Sequence, residues 1–134
     1  MRARVIASSL LIMLSASPAL AENWREVSNR DAVVSYIDAD AIKRDGDKVR
    51  FWVEMRLPEA QTAPTGERFD RIAAMVEINC RTKSYLSLRN RANLGNRLIY
   101  QGKTPFASVR TVQPDTPAAA ELRAVCFDDW ASGK

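Results

Sequence analysis

The sequence predicts an α+β fold, an antiparallel sheet of about six strands with a C-terminal helix packed on one face and tied there by a disulfide. Three observations predict it. Apolar residues alternate with period two through the middle of the chain, and that period lengthens to three and four after Pro117. The only two cysteines, Cys80 and Cys126, fall one in each pattern.

The first segment sets the compartment. Arg2 and Arg4 precede an apolar run from Val5 to Leu14, and Ser15, Ser17, Pro18 and the triplet Ala19-Leu20-Ala21 follow. Basic, then apolar, then small residues is the pattern of a secretory leader, with cleavage expected after Ala21. The expected organisation is a signal peptide at 1–21 and a single domain at 22–134. A membrane anchor would need about 20 apolar residues, and polar residues interrupt this run well short of that. No later stretch is long and apolar enough to be a transmembrane segment, and no cysteine stands at the cleavage junction to carry a lipid. The product is expected in the periplasm, at the cell surface or outside the cell.

Trp24 to Val27 and Val33 to Asp38 read as the first two strands, the second rich in β-formers. Asp45-Gly46-Asp47 is a turn leading into the clearest strand, Lys48 to Leu57. There Val49, Phe51, Val53, Met55 and Leu57 face one way, and Lys48, Arg50, Trp52, Glu54 and Arg56 the other. Phe69 to Cys80 repeats the pattern, with Ile72, Ala74, Val76, Ile78 and Cys80 on one face, so Cys80 is aimed at the core. A mobile loop is expected between them from Pro58 to Glu67. Tyr85 to Arg89 and Arg97 to Gln101 supply two more strands around a turn at Asn93, Gly95 and Asn96, and Ser108 to Val112 an edge strand.

Pro114-Asp115-Thr116-Pro117 offers caps and a first-turn proline for a helix. Ala118, Leu122, Val125 and Cys126 then share one helical face. In an oxidising compartment, Cys80 and Cys126 read as one disulfide joining the helix's apolar side to the sheet's. They are too far apart for a Cys-x-x-Cys redox pair, and histidine is absent, so two further metal ligands are hard to find.

The same absence removes the commonest general base. The five glycines are scattered and form no phosphate loop. Paired carboxylates can hydrolyse glycosidic bonds, but Asp38 and Asp40 flank a turn and Asp128 and Asp129 sit at a helix end. No enzyme and no cofactor are expected.

Charge is more informative. The chain of 134 residues carries +4, and +2 without Arg2 and Arg4. Yet from Arg81 to Arg110 there is no acidic residue, while Arg81, Lys83, Arg89, Arg91 and Arg97 are basic and Tyr85 and Tyr100 lie among them. Lys48, Arg50, Trp52 and Arg56 add a second basic-aromatic row. These nine basic and aromatic positions form a candidate binding face for an anionic or protein macromolecular partner. The plainer alternative is a solvated sheet face whose arginines pair with acids such as Asp70 and Glu77. Nucleic acid is not the expected partner of an exported protein.

The arrangement resembles the surface-adhesin protein E-like domain of Gram-negative bacteria. The resemblance rests on Trp24 and Val27, Tyr36-Ile37-Asp38 with Ile42, Gly46, Val49, Trp52 and Ile78-Asn79-Cys80. It continues through Tyr85, Tyr100, Gly102 and Pro114 to Val125-Cys126. It implies the same sheet with a disulfide-tied terminal helix, and a non-enzymatic module of the kind whose named members bind host matrix and serum proteins. Those adhesins are lipid-anchored, whereas this sequence lacks the junction cysteine. A second function class remains open, a periplasmic small-ligand carrier or sensor holding an apolar molecule between sheet and helix, as does a structural envelope component. Haem would lack its usual histidine ligand.

Overall fold

A computed structural model describes residues 23–131, and the expected leader at 1–21 lies outside the described residues. One antiparallel sheet carries the chain. Its main path runs β1 (Trp24–Arg30), β2 (Val33–Asp38), β4 (Lys48–Thr62), β5 (Arg68–Asn79), β6 (Ser84–Leu94) and β7 (Arg97–Lys103). Two short strands complete eight: β3 (Lys43–Asp45) pairs with β4, and β8 (Arg110–Thr111) with β6. The six expected strands are thus the main path, with Ser108–Val112 shrunk to two paired residues. Among the described residues one α-helix, α1 (Pro117–Phe127), follows.

Local chemistry sets the turns. Asp31 and Ala32 both adopt left-handed backbone (φ 52° and 65°), the twist that a tight β1–β2 hairpin needs. Gly46, at φ 59°, turns the chain from β3 into β4 where a side chain would be strained. Asp38 is buried and accepts hydrogen bonds from the amides of Asn23 and Asp40, so it caps a short 3-10 turn (Ala39–Ala41). The Asn79 side chain accepts from the amides of Arg81 and Thr82, both at 3.0 Å, and so turns the chain out of β5.

Two expectations need correction. The loop after Pro58 is shorter than expected: β4 runs on to Thr62 and pairs Gln61 with Phe69 and Thr62 with Arg68, leaving only Ala63 to Glu67 outside the strands. The register shifts between Arg56 and Gln61, so Pro58 sits where the ladder asks nothing of its missing N–H. β6 runs past Arg89 to Leu94, which places Asn93 inside the strand and reduces the turn to Gly95-Asn96. Its polar sequence shows no alternation because pairing on both sides holds it.

The core lies between one sheet face and α1. Ile37, Phe51, Val76 and Ile78 meet Leu122, Ala124 and Val125 there, all under a tenth exposed. Each of the larger of these side chains contributes roughly 1.5–3 kcal/mol by leaving water. Thr116 caps α1, its hydroxyl accepting from the Ala119 amide at 3.2 Å, with Pro117 following. At the other end Asp128 turns left-handed (φ 53°) and brings Trp130 back into the core, its indole N–H donating to Asp128 Oδ1 at 2.8 Å. The Cys80–Cys126 disulfide is formed, with Cα atoms 5.7 Å apart. The helix therefore packs on one face and is tied there, as the two periodicities predict.

Candidate functional site

The face opposite α1 is built by cross-strand rows, because residues paired directly across an antiparallel ladder point the same way. One row reads Tyr36, Glu54, Ala73, Arg91 across β2, β4, β5 and β6. The next reads Trp52, Met75, Arg89, Lys103, ending in β7. Arg50 pairs across with Glu77, and Arg56 with Arg71. Six expected positions thus meet on one surface: Lys48, Arg50, Trp52, Arg56, Arg89 and Arg91.

Three others do not join it. Arg81 lies in the turn after β5 and pairs with Asp47 at 3.1 Å. Lys83 occupies the same turn with left-handed backbone. Arg97 opens β7 at the opposite end of the sheet, across from Leu94. The acid-free stretch is continuous in sequence, but the β5–β6 and β6–β7 turns carry its ends away.

The face is not uniformly positive. Glu77 takes Arg50 at 2.9 Å and Lys48 at 3.8 Å. Glu54, only 7 % exposed, lies between Arg56 and Arg71 at 3.8 and 3.7 Å. The plainer alternative is therefore right for this part of the surface, with one exception. Asp70 accepts from the Gly95 amide at 2.9 Å, holding the β6–β7 turn instead of an arginine. Among the described residues no carboxylate lies within ion-pair distance of Arg89, Arg91 or Lys103.

Aromatic rings hold two of the cations. The Arg91 guanidinium lies 4.7 Å from the centre of the Trp52 ring, reaching back across β5. The short side chain of Ala73, buried between Glu54 and Arg91 in the row, leaves room for that reach. Arg56 covers Tyr36 at 4.1 Å. A polar cleft of about 240 Å³, lined in part by Trp24, Glu54, Arg71 and Arg91, opens on the same face. Tyr36, Arg71 and Lys103 were not among the expected site positions; alternation on β5 places Arg71 there, whereas the β6–β7 register shift, which alternation does not show, decides Lys103. The arrangement can hold an anionic group by charge and stack a planar one, and it offers no nucleophile with an adjacent base.

Among the described residues no helix is long and apolar enough to cross a membrane. The family model described as surface-adhesin protein E matches residues 24–127. No curated protein matches the chain. Among solved structures, protein E of Haemophilus influenzae is similar at TM-score 0.62 and 18 % identity, over 86 % of this chain and 92 % of that one. A second crystal form of that protein gives TM-score 0.60 and 16 % identity, over 81 % and 97 %. Protein E from the non-typeable form of the organism gives 0.60 and 18 %, over 83 % and 81 %. At these identities the likeness is one of fold.

Proposed function

The chain belongs to the surface-adhesin protein E family, and from that membership we propose that it is an exported binding module and not an enzyme. Its leader at 1–21 delivers the domain at 22–134 to the periplasm or the cell surface, where the disulfide forms. The face opposite α1 takes an acidic macromolecular partner. One observation carries this reading: Arg91 lies over Trp52 and Arg89 stands in the adjoining row, with no carboxylate of the described residues within ion-pair distance of either, while Glu54 and Glu77 on that face pair with Lys48, Arg50, Arg56 and Arg71. Cations without a paired acid beside an aromatic ring give long-range attraction to an acidic partner and a planar surface for it to pack on.

The test is a pair of charge-neutralised proteins assayed for capture of envelope and host macromolecules over a salt series. Arg89→Gln/Arg91→Gln should weaken capture about tenfold or more and flatten its dependence on salt. Arg81→Gln/Lys83→Gln, at the sheet's end, should change little. Equal capture and equal salt dependence in the first pair would remove the proposal.

A further inference from the structure

On the other side of the sheet, independently of that face, α1 carries a carboxyl group where an apolar residue would pack. Glu121 is 5 % exposed, and its Oε2 has no hydrogen-bond partner. It borders a cavity of about 140 Å³ between helix and sheet. Val53 and Met55 of β4 and Ile72 and Ala74 of β5 make the apolar wall, and Tyr85 of β6 adds a ring and a hydroxyl. Pro117 is exposed and Ala118 half-buried at the rim, so solvent reaches the opening.

We infer that this cavity is a binding site for a small organic ammonium ion with an apolar body, its charge paired with Glu121. Three features choose that chemistry. An unpartnered buried carboxyl is costly and is relieved by a donor that also brings the opposite charge. No basic side chain lines the cavity, and its two titratable groups, Glu121 and Tyr85, are both acids, so an anion is excluded and a cation favoured. The mostly apolar wall suits a hydrocarbon body better than water, which needs two to four polar partners. The volume matches the ~150 Å³ cavity that accepts benzene, hence a body of about six carbons. Burial pushes the empty-site carboxyl of Glu121 up to about 8. At pH 7 an entering ammonium therefore sends the Glu121 proton to solvent.

The probe is cyclohexylamine, titrated at pH 7 into the disulfide-intact protein and followed by amide chemical shifts. Cyclohexanol and cyclohexanecarboxylate serve as neutral and anionic isosteres. The amine should saturate shifts at Ala74, Tyr85 and Glu121, with cyclohexanol at least about tenfold weaker and the carboxylate silent. Glu121→Gln keeps the shape and should lose at least about tenfold in amine affinity. Ala74→Leu keeps the carboxyl and fills the space, and should also lose binding, so the assignment is decided even if Glu121→Gln folds poorly. No shifts with tens of millimolar amine, equal binding of the alcohol, or undiminished binding by Ala74→Leu would overturn it.

Discussion

Glu121 shows how one residue can set the pH behaviour of a domain. Desolvation pushes its carboxyl from an ordinary 4.5 up to about 8. Between those values the folded protein keeps a proton that the unfolded chain has released, so the stabilising contribution is complete below 4.5 and is lost as pH rises through about 8. The loss is of the order of a few kcal/mol. Relative to Glu121→Gln, the urea midpoint of the native sequence should therefore fall between pH 5 and 8, and parallel curves would contradict this. The same burial, reinforced by Glu121, raises the Tyr85 hydroxyl beyond the ordinary phenol range. Neither acid at the heart of a face is legible from sequence. Glu54 alternates correctly onto the charged side of β4 and is nonetheless buried, because Arg56 and Arg71 flank it from two strands. Phe51, by contrast, is legible as core from period two alone, and Phe51→Ala should cost about 3–5 kcal/mol in denaturant unfolding. A cost below 1 kcal/mol would show that the site collapses around the gap.

At the scale of elements, β4, β5 and α1 are the parts that the sequence discloses, since each presents one apolar side to a single core. β6 hides because its polar run from Arg89 to Asn93 is fixed by neighbours on both sides, and non-local pairing leaves no local pattern. Trp130 hides for a different reason. It lies beyond the helix, and only the left-handed Asp128 returns it to the core. The cap at the helix start is legible in Thr116-Pro117, and Thr116→Ala should cost about 1 kcal/mol by removing the hydroxyl acceptor that the Ala119 amide shares with the Thr116 carbonyl. The disulfide closes a separation of 46 residues, and loop entropy gives it about 4 kcal/mol, an upper figure. Cys80→Ala/Cys126→Ala should lower the unfolding free energy towards that amount. An unchanged midpoint would mean that packing alone seats α1.

For the molecule as a whole, one face of the sheet is closed by the helix and the other is left to solvent, a division antiparallel sheets permit. The candidate face is half legible. Alternation finds Lys48, Arg50, Trp52 and Arg56, but which basic residues of the later stretch join them depends on the β5–β6 register that sets Arg89 and Arg91 opposite Met75 and Ala73. The covalent link has one more consequence, in connectivity. It joins the end of β5 to the last turn of α1, so β6, β7 and β8 all lie within the ring it closes. Between β7 and β8, Phe106 is fully exposed with left-handed backbone (φ 52°), an inviting place for chymotrypsin to nick. A cut there should release nothing: the two fragments travel as one band until a reductant is added, and only then come apart.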